Sequence, residues 1–427
     1  MSLDRRSFLS GLGVSALGAL VGCTTASGAR GATPALPVYG RVDDESFWRA
    51  VRAQYPLRDD PVYLNTGGLG PVSQPVLDKV WATMTRLQEH SEKGHDEFAA
   101  AREAMAGFLG ATPDELCFAR NATEGNSIIA AGLALAPGDE VIFESHAHPG
   151  GSFPWANQAK LRGIKVLLFE PDHESPEGNV ARIRELISPQ TKVIQVSHIT
   201  CTTGLVFPVA AIAALAREHN IWFHIDGAQS VGMIPVDLHA TGCDSYAFSG
   251  HKWLGGPHET GMFYIRRDRL EAVAPTGIGA HSGELSDLTG PIELFAAASR
   301  HEYGTRSAAQ IHGLVEAMRL QERIGAERIA TRGRELAGGL LTELGKVDGL
   351  IVLTPRHEEL RASMTTIRHP RATGGDLFGY LWQKHGLRCR PVSEQGLQAV
   401  RISTHLFNSP AECERVISAV RASLRDL

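Results

Sequence analysis

Residues 246–256 read Tyr246-Ala247-Phe248-Ser249-Gly250-His251-Lys252-Trp253-Leu254-Gly255-Gly256, an apolar run that gives way to a hydroxyl, a histidine and a lysine among glycines. The run has the length and composition of a buried strand, and the change to small and polar residues places Lys252 in a loop at its end. Upstream, His224-Ile225-Asp226-Gly227-Ala228-Gln229 has the same layout, with an acid where the apolar residues 221–225 stop. Working back, further short apolar runs stand at 193–196, 166–169, 141–143 and 116–118, and helical stretches such as 209–218 separate several of them. Short buried strands alternating with helices predict an α/β fold with a large, mostly parallel sheet.

Outside that block, residues 62–64 form a short apolar segment ending in Asn65-Thr66-Gly67-Gly68. Helical spacing covers 75–88 and 98–109, then 307–344 and 410–424; candidate strands stand at 351–353, 363–367 and 399–402. The expected organisation is an export signal over 1–30, an N-terminal segment over 31–72, a large sheet domain over 73–305, and a C-terminal helix with a smaller α+β domain over 306–427.

The chain has 427 residues, 43% hydrophobic and 21% charged, with a formal net charge of −5 and no basic block. That is enough chain for a large core, and it argues against dedicated nucleic-acid binding, which needs a concentrated positive face. Asp4-Arg5-Arg6-Ser7-Phe8-Leu9, followed by an uncharged stretch to Gly22, has the layout of a twin-arginine (Tat) export signal and predicts a periplasmic protein. Leu20-Val21-Gly22-Cys23 matches a lipobox, with lipidation at Cys23, while the small residues 26–29 fit ordinary cleavage equally well. Cys117, Cys201, Cys243, Cys389 and Cys413 are widely spaced, which favours isolated buried thiols over a disulfide scaffold or Cys-x-x-Cys ligands.

Four features carry chemistry. Ala122-Thr123-Glu124-Gly125 starts a helix after a strand, where backbone N–H groups and the Thr123 hydroxyl can hold a phosphate; a capping Thr and a turn Gly explain the same residues. Asp226 at a strand end is placed either to pair with a ring nitrogen in an α/β crevice or to cap a helix. Lys252 has the crowded, partly desolvated setting that a Schiff-base lysine needs, although most lysines are merely solvated. Ser249 and His251 add phosphate donors from the same loop. Arg401, inside the apolar Val400-Arg401-Ile402-Ser403, needs a carboxylate partner. That partner is a ligand or an internal Glu, and the sequence slightly favours the internal pair.

The joint pattern HIDGAQSVG (224–232) then SGHKWLGGP (249–257) resembles fold-type I pyridoxal 5'-phosphate (PLP) enzymes of aminotransferase class V, over roughly residues 63–408. That group includes cysteine desulfurases, kynureninases and isopenicillin-N-epimerase-like proteins. The resemblance implies that 73–305 is the PLP-binding domain and that Lys252 carries the cofactor. It places Asp226 at the pyridine nitrogen, Gln229 at the ring hydroxyl, His148 stacked on the ring, and Ala122, Thr123, Ser249 and His251 around the phosphate. Arg401 matches the arginine that binds an amino-acid α-carboxylate, with Asn65 and Arg390 on the substrate side. Gly304-Thr305-Arg306 resembles a segment lent to the neighbouring subunit's phosphate site, which implies a homodimer. A metal at His146 and His148 lacks a third ligand.

Two departures stand out. Where relatives place an Asn at the cofactor hydroxyl, this chain has Thr200 or Cys201, so Thr200 is the substitute contact. Arg390-Pro391-Val392-Ser393-Glu394-Gln395-Gly396 lacks the nucleophilic Cys of a desulfurase, and Cys389 is expected to point elsewhere. An export signal on this fold is similar to that of periplasmic PLP enzymes that tailor the acyl glutamate of the siderophore pyoverdine. The expectation is PLP-dependent, transaminase-like modification of an amino-acid moiety. Epimerisation or C–S or C–C cleavage is the enzymatic alternative, and an inactive binding protein on the same scaffold is the non-enzymatic one.

Overall fold

The computed structural model describes residues 34–41, 43–285 and 287–427, so the export and lipidation readings at Arg5, Arg6 and Cys23 lie outside the described residues. Residues 34–427 form one unit. Its centre is a seven-stranded sheet of β1 (Leu116–Ala119), β2 (Glu140–Glu144), β3 (Lys165–Phe169), β4 (Thr191–Ser197), β5 (Trp222–Asp226), β6 (Ser245–Ser249) and β7 (Gly261–Ile265). The spatial order is β1-β7-β6-β5-β4-β2-β3, and every neighbouring pair is parallel except the two that involve β7. The apolar runs near 116, 141, 166, 193, 221 and 246 are therefore all strands. The antiparallel β7, Gly-Met-Phe-Tyr-Ile, was not among them.

Side chains alternate between the two faces of a strand, and both faces here are covered. Phe223, Ile225, Tyr246 and Phe248 join one core cluster with Leu109, Ile212 and Leu314; Trp222, Ala247 and Phe263 join a second with Ile129 and Trp155. Two-sided burial explains why the central strands read as near-continuous apolar runs. In register, Ser197 of β4 lies beside Asp226 of β5, and Asp226 beside Ala247 of β6. The carboxyl ends of three strands thus open at one edge, the usual location of a crevice in such sheets.

A four-stranded antiparallel sheet is built from Ile351–Val352, Met364–Arg368, Ala399–Ser403 and Arg390–Val392, in that spatial order. The N-terminal strand Val62–Tyr63 pairs in parallel with Leu387–Arg388, and Asn65 bridges to Ser403. The helical stretch after residue 307 is two helices, Ala308–Ile324 and Ala326–Leu344, broken at Gly325, whose φ of 100° no helix accommodates. Pro149–Arg162 is a helix that the sequence pattern did not reveal, because Gly150, Gly151 and Pro154 all speak against one.

A largely buried ion pair fastens the segment after Ala298. Arg102 Nη2 lies 2.8 Å from Glu302 Oε2, and Glu302 Oε1 also accepts from the Phe118 backbone N–H at 2.6 Å. Removing one member of such a pair strands the other's charge. Arg102→Ala is expected to lower the unfolding free energy by about 3 kcal/mol in urea denaturation; a loss below about 1 kcal/mol would mean the pair behaves as a solvated surface pair.

Candidate active site

A cavity of about 250 Å³ opens at the carboxyl ends of β5 and β6. It brings together Ala122, Thr123, His148, Asp226, Gln229, Ser249, His251, Lys252, Arg390 and Arg401, which the sequence places far apart. They arrive on several separate elements. Asp226 and Ser249 end β5 and β6, and Lys252 follows in the loop. His148 caps the helix Pro149–Arg162, its Nδ1 accepting from the Gly150 N–H at 3.0 Å. Arg401 comes from the small sheet.

The Lys252 loop is held through its backbone. The Gly70 N–H donates to the His251 carbonyl at 2.8 Å, and the Trp253 carbonyl accepts from Gln321 Nε2 at 2.7 Å and from His405 Nε2 at 2.8 Å. Gly70 is required here by close approach, since a Cβ on it would sit 1.7 Å from the Lys252 carbonyl oxygen. Desolvation in the cavity lowers the Lys252 pKa below the ordinary lysine value; Asp226 and Cys201 oppose the shift, while Arg401 and Arg390 reinforce it. Burial and the neighbouring Lys252 push His251 down to about 4, and the same two causes lower His148.

One end of the cavity is an anion cradle. The helix Ala122–Gly132 begins there, capped by the side chain of Asn121 rather than by Thr123, so the Thr123 hydroxyl is not the cap. Ser249 Oγ accepts from the Ala122 N–H at 3.1 Å, leaving its own proton free to donate, and His251 Nδ1 is buried with no partner. A helix N-terminus, two hydroxyls and an unpartnered ring nitrogen fit a phosphate group. Asp226 caps no helix. Its Oδ1 accepts from the Ala228 N–H at 3.0 Å and its Oδ2 from Asn126 Nδ2 at 2.9 Å. Gln229 spans the Gly67 carbonyl, at 2.9 Å from its Nε2, and Trp253 Nε1, at 2.7 Å from its Oε1.

The other end is cationic. Arg401 is fully buried, and its guanidinium meets only neutral acceptors: the Cys201 carbonyl at 2.6 Å, Asn65 Oδ1 at 3.0 Å and Ser403 Oγ at 3.0 Å. The internal Glu favoured by the sequence is not there among the described residues. Burial, helped by Arg390, brings the Arg401 pKa down to about 10, so the site gains by receiving a negative charge. Arg390 is paired with Glu394, and its Nη1 is buried without a partner.

Three expected contacts do not line this cavity: Asn65 reaches it only through its hydrogen bond to Arg401, and Thr200 and Thr305 lie elsewhere. Thr200 is buried in its own loop, its Oγ1 accepting from the Leu205 N–H at 3.0 Å and meeting Thr203 Oγ1 at 3.1 Å; Cys201 lines the cavity instead. The loop's tight turn through Gly204 consumes the threonine hydroxyl, which spacing alone does not reveal. Thr305 lines a separate cavity of about 300 Å³ with Arg120, Tyr303 and Arg306. His146 bonds Thr202 Oγ1 and Glu170, and no group of three or more metal-ligating side chains occurs among the described residues.

The aminotransferase class-V family model matches residues 74–425, and the chain belongs to that family. It is 29% identical over 396 residues to isopenicillin N epimerase of Amycolatopsis lactamdurans, covering 88% of this chain and 98% of that protein. It is 31% identical over 334 residues to a probable cysteine desulfurase of Halalkalibacterium halodurans, covering 75% and 80%. Among solved structures, the cystine C-S lyase C-DES in complex with its reaction product cysteine persulfide superposes with a TM-score of 0.79 at 26% identity, covering 86% of this chain and 99% of that one. The protein is a PLP-dependent enzyme of this family.

Gly70→Ala is expected to displace the Lys252 backbone and abolish stable PLP retention while leaving the far-ultraviolet circular dichroism unchanged; retention equal to wild type by gel filtration would refute the close-packing argument. The neutral amine is the reactive form of lysine, and the lowered Lys252 pKa enlarges the neutral fraction at any given pH. The rate at which apoprotein captures PLP should therefore rise with pH and level off below 10.5, the ordinary lysine value. A midpoint at or above that value in stopped-flow absorbance would count against desolvation.

Proposed function

We propose that the enzyme removes the α-proton of an amino-acid moiety and that the outcome is epimerisation, with C–S bond cleavage as the second reading. The observation that carries this is Arg401: a fully buried guanidinium with neutral partners only, in the same cavity as Lys252, Asp226 and the phosphate-fitting helix end. Bound PLP supplies an electron sink for negative charge developing at the substrate Cα. Lys252 anchors the cofactor and, once free, moves the proton at Cα; its lowered pKa suits a general base. Arg401 holds the α-carboxylate and thereby fixes which Cα bond faces Lys252, with Asn65 orienting the guanidinium and Arg390 flanking it. Asp226 serves the ring nitrogen, His148 the ring face, Gln229 the ring hydroxyl, and Thr123, Ser249 and His251 the phosphate.

The relatives move the reading away from amino transfer, which the sequence alone favoured. The epimerase of A. lactamdurans aligns over 98% of its length, and C-DES is a lyase of similar fold. Persulfide chemistry of the desulfurase kind is disfavoured, because Cys389 is buried with its thiol pKa pushed up to about 12, and burial also raises the pKa of Cys201, the thiol that lines the cavity. It belongs to the core cluster that holds Val62, Leu387 and Val400, and it does not line the cavity. The N-terminal motifs extend the proposal to a periplasmic, Tat-exported enzyme, with lipidation at Cys23 as one processing outcome, acting on an amino-acid residue of an exported peptidic metabolite. A homodimer, with Thr305 serving the neighbouring site, belongs to the same proposal.

The test is incubation with candidate amino acids and acyl-glutamate peptides in deuterium oxide, followed by chiral separation and mass analysis. Epimerisation places deuterium at Cα with the substrate composition unchanged and both configurations present; side-chain loss selects the lyase reading; a keto product with amino transfer overturns both. Arg401→Ala should weaken carboxylate-bearing ligands roughly 100-fold while retaining PLP, as expected for the loss of a buried charge contact.

A further inference from the structure

Asp226 does not stand alone at the end of β5. Side-chain alternation puts Trp222, His224 and Asp226 on one face of the strand, and the register sets Ser245 of β6 beside His224. The helix Ala122–Gly132 brings Asn126 to the same face. The contacts run in a line: Trp222 Nε1 to Ser245 Oγ at 2.9 Å, Ser245 Oγ to His224 Nδ1 at 2.8 Å, His224 Nε2 to Asn126 Oδ1 at 2.8 Å, and Asn126 Nδ2 to Asp226 Oδ2 at 2.9 Å. Asn126, His224 and Ser245 have no solvent exposure, and none of the three lines the cavity.

Every proton in this line is determined. The Asn126 amide presents its oxygen to His224 Nε2, so the ring carries its hydrogen there and donates to Asn126. A neutral ring then leaves Nδ1 as an acceptor, to which Ser245 Oγ gives its proton while accepting from Trp222 Nε1. The Asn126 amide cannot be flipped, because its nitrogen faces two acceptors, the Gly150 carbonyl at 3.1 Å and Asp226 Oδ2. Burial pushes the His224 pKa down to about 3, so the ring is neutral and the line has one polarity. Packing closes the space around it: a Cβ on Gly151 would lie 2.8 Å from Asp226 Oδ2.

We propose that Asn126 and His224 are positioning residues for Asp226, holding its carboxylate in one orientation so that its remaining lone pairs serve the cofactor's ring nitrogen. This rests on the reading of Asp226 given under Proposed function. Lys252, His148, Glu144 and Tyr246 are the other titratable groups that feel the Asp226 charge. All four stay in place when His224 or Asn126 is replaced, so the replacement isolates the line of hydrogen bonds.

The experiment compares wild type with His224→Leu, Asn126→Leu, His224→Gln and Asp226→Asn as holoenzymes. It measures the PLP dissociation constant and the pH midpoint of the bound cofactor's visible absorption. The leucine variants are expected to bind PLP on the order of ten-fold more weakly, the scale of one lost buried hydrogen bond, and to shift the midpoint. His224→Gln, whose amide can still donate to Asn126, should recover most of both. Unchanged affinity and midpoint in the leucine variants, with a lowered melting temperature alone, would show a merely structural role and overturn the proposal. If Asp226→Asn shifts both readouts and the leucine variants shift neither, the relay fails while the role of Asp226 stands; if Asp226→Asn also shifts neither, the role of Asp226 fails first. Should the leucine variants not fold, Ser245→Ala decides, because it removes one hydroxyl: a smaller shift in the same direction supports the relay, and none overturns it.

Discussion

The carbonyl of Trp253, one residue beyond Lys252, accepts hydrogen bonds from Gln321 and His405 at once. Gln321 belongs to the helix Ala308–Ile324, and His405 follows the last strand of the small sheet. With Gly70 holding the His251 carbonyl, three distant parts of the chain meet on two peptide units. A lysine loop left to itself would be mobile, since it follows a strand end and contains glycines. Here its backbone is fixed by partners that exist only after the small sheet and the N-terminal loop have docked. The reactive side chain keeps its freedom while its root does not move.

Charge is distributed with the same economy. Asp226 receives hydrogen only from an amide N–H and a neutral side chain, and Arg401 gives hydrogen only to neutral oxygens. Neither charge makes a salt bridge among the described residues. In a partly desolvated cavity such charges are costly without a ligand and effective with one, because no internal partner has to be displaced first. Arg390 differs, since Glu394 already neutralises it. The two arginines therefore present unlike environments to an entering molecule: one poised for a full negative charge, the other for a weaker or exchangeable contact.

Much of this was legible in the sequence because the decisive features are local. Lys252 and Asp226 each follow an apolar run within a few residues, and one buried Arg in a strand announces an unusual need. What was not legible depends on distance or on competing local signals. The strand Gly261–Ile265 is as apolar as its neighbours, but its antiparallel direction is set by the sheet and not by its residues. The helix Pro149–Arg162 carries two glycines and an internal proline, and tertiary packing overrides them. Thr200 and Cys201 are adjacent, and only the turn through Gly204 decides which of them faces the cavity. The acid partner expected for Arg401 is missing because three neutral acceptors, from three separate segments, share the work. Asn126 and His224 lie 98 positions apart, so no spacing rule joins them.

The five described cysteines, Cys117, Cys201, Cys243, Cys389 and Cys413, are each buried and unpaired. Burial holds the thiols of Cys117, Cys243, Cys389 and Cys413 well above the ordinary range, which keeps them in the unreactive protonated form. Among these residues the native state owes nothing to a covalent cross-link, and it offers an oxidant little to attack. What holds this part of the chain together is packing alone: its core asks for no oxidant to complete it and no reductant to keep it intact.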